Sequence, residues 1–314
     1  MSIELTDTTS SRISAALVQA RRAAGSPVVG IVLTFVIVTD EENAYDSLKS
    51  VTGASQEHPS RILVVIRRPG RPPVRRRQAR LDAEVQVGGN AGTGETVLLR
   101  LHGELAEHAD SVVLPLLLPD APVVVWWPVE APDNPAADPL GGLAQRRITD
   151  SYAVEQSMRA LADRAASYAP GDVDLAWTRL TPWRSMLASA LEQARAGVTA
   201  AVIESEADNP STELLARWLA TRLRIPVDFV VTAGPAVTAV RLSTTLGEIR
   251  IDRPEGPVAR LFIPGQPDRT LALKVRSTAD LLAEELRRLD PDVVYAAALR
   301  TGPLQITATP AGRM

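Results

Sequence analysis

Uninterrupted apolar runs and alternating segments follow one another through the first 128 residues. The apolar runs occupy residues 28–38, 61–67 and 122–127. They lack the polar alternation of a half-exposed strand, so they indicate strands that are covered on both faces. Apolar and polar residues alternate over 81–87 and 96–102, which predicts a hairpin around the glycine-rich residues 88–94. Apolar spacings of three and four predict helices after Ser10, over 41–52 and over 104–118. This order of strands and helices predicts an α/β sandwich with a mixed sheet.

The second half repeats the alternation after a proline-rich interval. Residues 128–140 contain four prolines, which neither a helix nor an inner strand tolerates. Two helices are predicted next, over 154–166 and 182–195, the second with Thr181 as its N-cap. A strand–helix–strand unit then spans 198–231, followed by a four-segment antiparallel meander and a helix after Ser277. The fold class predicted is therefore two α/β sandwich units with mixed sheets, joined by a proline-rich and helical connector.

The corresponding domain boundaries are 1–128 for an N-terminal α/β domain, 129–196 for the connector and 197–314 for a C-terminal α/β domain with the meander.

Composition limits the classes of partner and chemistry that are expected. A net charge of -3 with a pI near 5.8 gives no overall attraction to nucleic acid or anionic lipid. The chain has no cysteine, which excludes thiol catalysis and thiolate metal sites. The first residues lack a signal-peptide pattern and no apolar run is long enough to span a membrane, so a soluble, cytoplasmic protein is predicted.

Three segments suggest ligand sites, and each has a simpler interpretation. The glycines of 88–94 precede a strand rather than a helix, so a hairpin loop is favoured over a phosphate cradle. Residues 61–80 hold eight arginines and no acid, but prolines and the lack of aromatic residues favour a solvated loop over a nucleic-acid site. His58 and Arg61 enter a buried strand, where a turn is favoured over an anion or partner site.

Four of the five tryptophans lie between Trp126 and Trp183, among dense polar strings. Trp126 and Trp127 end a predicted strand, where one indole is expected in the core and the other in a crevice that could hold an anion or partner group. Packing is favoured over an interface for the tryptophans themselves. Interface or anion-site residues are instead sought among the polar strings and Trp177, because Trp and Arg are enriched at binding hot spots. The candidates are Arg146, Arg147 and Asp150, expected in a connecting loop, and Asp174, Trp177, Arg179 and Arg184.

At these strings the sequence resembles the OpcA family of glucose-6-phosphate dehydrogenase assembly proteins. The similar stretches cover nearly the whole chain in family order. They are His58-Pro59-Ser60-Arg61, the segment from Pro115 to Pro128, Arg146-Arg147-Ile148-Thr149-Asp150, the segment from Asp172 to Arg184, and the segment from Leu282 to Asp290. Photosynthetic members of the family are associated with thiol-dependent control, which a chain without cysteine cannot carry on its own residues.

The resemblance implies a non-catalytic partner that binds glucose-6-phosphate dehydrogenase, favours its active oligomer and raises its activity in the oxidative pentose phosphate pathway. No catalytic residue, metal ligand or cofactor is predicted, and neither nucleic acid nor membrane is expected as a partner. Two alternatives remain open from the residues. One is an enzyme or sensor that clamps a sugar phosphate or nucleotide with arginines such as Arg61 and Arg146. The other is RNA binding through residues 67–80.

Overall fold

The computed structural model describes residues 2–24, 30–68, 79–88, 94–234, 236–253, 256–302 and 308–310. The chain forms two compact units that are each discontinuous in sequence. The first comprises Met1–Asp150, Ser167–Val173 and Thr278–Pro291, and the second comprises Ser151–Ala166, Asp174–Ser277 and Asp292–Met314. The predicted domains 1–128, 129–196 and 197–314 are continuous by contrast, and that division stays a prediction.

The strands and helices are numbered here in chain order. The strands are β1 (Ser2–Leu5), β2 (Leu33–Thr39), β3 (Ser60–Arg68), β4 (Arg80–Val87), β5 (Glu95–His102), β6 (Val123–Trp126), β7 (Arg146–Thr149), β8 (Asp172–Asp174), β9 (Val198–Ser205), β10 (Val227–Val231), β11 (Val237–Thr244), β12 (Gly247–Asp252), β13 (Val258–Phe262), β14 (Arg269–Ala272) and β15 (Ala308–Pro310). The helices are α1 (Ser10–Ala24), α2 (Ala44–Ala54), α3 (Ala109–Val113), α4 (Ser157–Ser167), α5 (Leu175–Thr178), α6 (Thr181–Ala194), α7 (Pro210–Leu223), α8 (Thr278–Arg287) and α9 (Val293–Arg300).

A mixed sheet forms the centre of the first unit, with the strand order β1-β4-β5-β3-β2-β6-β7-β8. Its middle strands are parallel: β2 pairs with β3 and β6, and β3 pairs with β5. All seven residues of β2 are buried, which explains why its sequence is a continuous apolar run. The predicted hairpin is confirmed, because β4 and β5 pair antiparallel with Leu81 opposite Leu101.

The predicted helix over residues 104–118 is wrong. The segment consists of a 3-10 helix at Gly103–His108, the short α3, and a second 3-10 turn at Leu114–Leu116. Pro115 explains the end of α3, since proline lacks the N–H that would continue the helix and its ring clashes with the preceding turn. Two predicted loops lie mostly outside the described residues, namely the arginine-rich residues 67–80 and the glycine-rich residues 88–94. Both loops stay predictions.

A second mixed sheet forms the centre of the second unit, in the order β14-β13-β12-β11-β9-β10-β15. The predicted strand–helix–strand unit is confirmed by β9 and β10, which pair in parallel on either side of α7 in the sequence. The predicted meander is confirmed by the antiparallel pairs from β11 to β14. The N-cap prediction was one residue late, because Thr181 is already helical and Leu180 is the N-cap of α6. The α/β class with two mixed sheets is thus confirmed.

Trp127 follows β6 in the core of the first unit, and Gly141 allows the following loop to pack against it. A Cβ atom built on Gly141 would lie 1.8 Å from the Pro135 carbonyl oxygen and 3.2 Å from Cη2 of Trp127. The neighbouring Gly142 differs, since a Cβ there meets nothing within 4 Å. The absence of a side chain is therefore required at the first glycine and not at the second.

We predict that Gly141→Ala lowers the free energy of unfolding by about 3 kcal/mol, at the upper end for overpacking, because the obstacle is backbone. Gly142→Ala is the matched control, and we expect no loss or a gain of about 0.5 kcal/mol from a less flexible unfolded chain. Urea denaturation of both variants measures the difference. Equal stability of the two variants would contradict this account of the loop.

Candidate functional site

Arg146 and Arg147 lie in β7, where every residue is buried. The prediction that they lie in a connecting loop is therefore wrong. Successive strand residues point to opposite faces of a sheet, and the two guanidinium groups accordingly find different partners. Arg146 forms an ion pair with Glu285 of α8 and donates to the carbonyl oxygen of Asp290 at 3.0 Å.

Arg147 forms the second buried pair of the strand, with the Asp172 carboxylate of β8. It also donates to the carbonyl oxygens of Ala144 at 2.9 Å and Pro170 at 2.6 Å. Gly171 lies beside this guanidinium with a φ of +96°, and a Cβ there would stand 2.4 Å from the Gln145 carbonyl oxygen. Removing either arginine would take away the guanidinium that pairs with a buried carboxylate. A direct contact of Arg146 or Arg147 with another protein would require these pairs to open.

Asp150 and Asp174 are also buried, although they belong to different units. In the second unit Asp174 is the N-cap of α5, accepting from the backbone N–H of Ala176 at 2.9 Å. The same carboxylate accepts from the backbone N–H and the hydroxyl of Ser151, the latter at 2.7 Å. Its position is thus set by hydrogen bonds within the second unit.

The proposed phosphate clamp loses its two named arginines. Arg61 donates to Glu95 at 2.9 Å and to the Leu116 carbonyl oxygen at 2.6 Å, and Arg21 shares the same carboxylate. Burial lowers the pKa of the Arg61 guanidinium, and the Glu95 charge opposes that effect. Since Arg146 is likewise held by Glu285, neither guanidinium is open to a phosphate in this structure.

Trp127 and His58 occupy less open positions than the sequence indicated. Trp126 and Trp127 are both buried, so neither indole lines an open crevice, contrary to the expectation. His58 is partly buried, and its Nε2 atom has no hydrogen-bond partner among the described residues. An anion or partner role for these two residues stays a prediction.

Trp177, Arg179 and Arg184 form, with Tyr152, a cluster that lies wholly in the second unit; we call these four residues the arginine–aromatic cluster. Trp177 is buried and its indole N–H donates to Asp292 at 2.8 Å. The guanidinium carbon of Arg184 lies 3.7 Å from the Trp177 ring centroid, and that of Arg179 lies 5.1 Å from the Tyr152 ring. These are cation–π distances. Tyr152 is 40% exposed and both arginines are half-buried, so this cluster is the part of the predicted site that reaches the surface.

A cavity of about 200 Å³ adjoins the arginine–aromatic cluster within the second unit. It brings together residues far apart in the sequence, namely Tyr152, Arg179, Leu180, Pro182, Trp183, Asn209, Ser211, Ala236, Val237, Arg253, Leu273, Lys274, Val275 and Arg276. Three of its basic residues, Arg253, Lys274 and Arg276, were not candidates from the sequence, because Arg253 follows β12 while Lys274 and Arg276 follow β14, and they share no local motif. Arg179 was a sequence candidate, and Asn209-Pro210 was recognisable as a helix start.

Neither a metal centre nor a membrane segment is found where the structure describes the chain. Within those ranges no cluster of three or more histidine, aspartate or glutamate side chains is placed to bind a metal ion. Of the helices described, none combines the length and apolar character needed to cross a bilayer.

Comparison with protein families assigns both halves of the chain. Residues 51–166 match the glucose-6-phosphate dehydrogenase subunit N-terminal domain, and residues 170–299 match the corresponding C-terminal domain. The chain belongs to the OpcA family. The resemblance noted at the polar strings is thereby confirmed, since the two matches include all of the candidate residues.

Other comparisons add little. No curated protein matches the chain. Among solved structures, a 3-ketoreductase from Actinomadura kijaniata is 9% identical, with a TM-score of 0.45 over 86% of this chain and 94% of its own. An oxidoreductase from Sinorhizobium meliloti is 11% identical, with a TM-score of 0.42 over 86% of each chain. At these TM-scores the likeness supports no argument about this chain.

The Arg146–Glu285 pair yields a prediction that separates structural support from partner contact. Arg146→Ala removes the guanidinium that pairs with the buried Glu285 carboxylate, so we expect the free energy of unfolding to fall by about 3–5 kcal/mol. The double variant Arg146→Met with Glu285→Leu removes both charges, and we expect it to recover most of that loss. Urea denaturation is the measurement.

Arg287→Gln is the control, because Arg287 pairs with Glu57 on the exposed surface and should matter little. If Arg146→Ala were as stable as this control and lost only its affinity for a partner protein, the structural assignment of Arg146 would be wrong.

Proposed function

We propose that this protein binds glucose-6-phosphate dehydrogenase as a non-catalytic assembly factor and activator. The observation that carries the proposal is the match of both halves of the chain to domains of the glucose-6-phosphate dehydrogenase subunit family. The cytoplasm is the proposed compartment, in keeping with a chain that uses no cysteine.

Activation by a binding protein has a thermodynamic requirement. The activator must bind the active conformation or oligomer of the enzyme more tightly than the inactive one, since equal affinity would shift nothing. Each tenfold preference shifts that equilibrium by about 1.4 kcal/mol. A small number of well-oriented contacts, made only with the active state, is therefore enough to shift the enzyme toward that state.

The arginine–aromatic cluster is the surface that we propose for this contact. Arg184 is held against the Trp177 ring and donates to the Thr181 hydroxyl at 3.0 Å. Arg179 is held against the Tyr152 ring. Side chains that are already oriented lose little conformational freedom on binding, so more of each contact appears as affinity. Guanidinium groups held in this way suit carboxylates on the partner protein.

Asp174 supports this surface from within the second unit, whereas the buried arginines organise the first unit. In the second unit, Asp174 fixes the start of α5, the helix that carries Trp177. In the first unit, Arg147 and Asp172 fix β7 against β8. We propose that Asp174 affects the partner contact by positioning Trp177.

The test of the proposed function is a mixture of the purified protein with its cognate dehydrogenase. We expect sedimentation velocity to show a complex, and we expect the dehydrogenase to gain activity or to saturate at lower substrate concentration. Separate sedimentation together with unchanged kinetics would overturn the proposal.

Arg184→Ala tests the proposed surface, because it removes a half-buried guanidinium that lies over a tryptophan. We expect the dissociation constant of the complex to rise at least about tenfold, as for an interface hot spot. Arg260→Gln is the matched control, since Arg260 is an exposed arginine of β13 in the same unit. Melting temperatures of both variants verify that they are folded. A complex as tight with the Arg184 variant as with the control would place the contact elsewhere.

A further inference from the structure

We propose that the cavity of the second unit is a binding site for a small phosphate monoester. This inference goes beyond the proposed function, because it concerns a small molecule rather than a protein partner. It rests on three properties of the cavity wall: its charge, an arginine without an ion pair, and a helix start with an unused hydroxyl.

The charge of the cavity wall is one-sided. Arg179, Arg253, Lys274 and Arg276 line it, and among the described residues no aspartate or glutamate does. Glu206 accepts a hydrogen bond from the hydroxyl of Tyr152, a lining residue, at 3.1 Å. It also accepts from the Asn209 side-chain amide at 2.8 Å. That bond leaves the amide oxygen of Asn209 to cap α7. A wall whose described residues include several cations favours an anion of more than one charge.

Arg253 is the most informative of these cations, because it is only 9% exposed and forms no ion pair with any residue that the structure describes. One guanidinium nitrogen donates to the Val237 carbonyl oxygen at 3.1 Å, and the guanidinium carbon lies 5.7 Å from the Trp183 ring centroid. Burial lowers the pKa of this guanidinium. A buried cation costs free energy unless it is paired, and a bound anion would supply the pair.

The start of α7 supplies neutral donors on the same wall. Asn209 caps this 14-residue helix by accepting from the backbone N–H groups of Ser211 at 2.8 Å and Thr212 at 3.3 Å. Ser211 lines the cavity and is 5% exposed, yet its hydroxyl has no hydrogen-bond partner in the described part of the chain. Helix N-termini attract anions through their free N–H groups and dipole. The unused hydroxyl supplies a further donor for a phosphate oxygen.

An ester fits the cavity better than inorganic phosphate does. Leu180, Val237, Leu273 and Trp183 give the wall an apolar part beside the cations. A volume of about 200 Å³ exceeds the needs of a lone phosphate, while drug-sized ligands occupy pockets of about 300–1,000 Å³. The expected ligand is therefore a phosphate group on a short carbon skeleton.

Isothermal titration calorimetry on the full chain at low ionic strength tests the assignment. The probes are glycerol 3-phosphate, a hexose 6-phosphate and inorganic phosphate, with glycerol and the neutral hexose as blanks. We expect at least one ester to bind more tightly than inorganic phosphate, and the neutral compounds to give no binding. The affinity should fall as salt is added, because the contact is ionic.

Three variants locate the bound phosphate. Arg253→Gln should weaken binding by roughly 10- to 100-fold, as expected for loss of a charged hydrogen-bond donor. Lys274→Gln alters an exposed side chain, so it should leave the fold intact and weaken binding severalfold. Arg260→Gln, outside the cavity, should change nothing. If Arg253→Gln does not fold, the comparison of Lys274→Gln with Arg260→Gln decides the question.

The proposal is overturned if no ester binds at millimolar concentration, or if folded Arg253→Gln and Lys274→Gln bind as tightly as Arg260→Gln. It is also overturned if no ester binds and Arg253→Gln instead abolishes the complex with the dehydrogenase, since the cavity would then accept a protein carboxylate. Ester binding by a chain that forms no dehydrogenase complex would refute the proposed function alone.

Discussion

Two buried arginine–carboxylate pairs on neighbouring residues of one short strand hold the first unit together. Arg146 reaches Glu285, which is 139 residues away in sequence, and Arg147 reaches Asp172 on the adjoining strand. Both arginines also satisfy backbone carbonyl oxygens, so their charges are compensated by hydrogen bonds as well as by ion pairs. Residues 278–291 return to this unit, and the Arg146–Glu285 pair joins their helix α8 to β7. Two of the polar residues most suggestive of a binding surface are thus internal supports.

The same arrangement explains which parts of the structure the sequence predicted. Apolar runs predicted β2 and β3, and local turn and alternation signals predicted the β4–β5 hairpin and the meander from β11 to β14. Sequence patterns report on local periodicity and could not show that Arg146 is buried, because its counter-charge lies on a distant helix. Pro115 was a local signal against a continuous helix, but the prediction followed the apolar spacing instead. The family, by contrast, was recognisable from the polar strings.

The candidate site likewise contains residues with structural roles and residues that are accessible to a partner. Asp174 and Trp177 are buried inside the second unit, where they have structural roles. Arg179 and Arg184, beside Tyr152, are the candidate residues of this unit that remain accessible. The cavity next to them was not predictable, since Ser211, Arg253 and Lys274 meet only after the second sheet has formed. An arginine-based anion site was anticipated, but at arginines whose charges the fold already pairs. The cations of the proposed phosphate site lie in the second unit instead.

Hydrogen–deuterium exchange of the protein with and without its dehydrogenase tests the central claim most directly. The account predicts that added dehydrogenase slows exchange at residues 152 and 179–184, while β7 exchanges equally slowly in both samples because it is already buried. Protection confined to other segments, with exchange at residues 152 and 179–184 unchanged, would contradict the assignment of the arginine–aromatic cluster as the partner-binding surface.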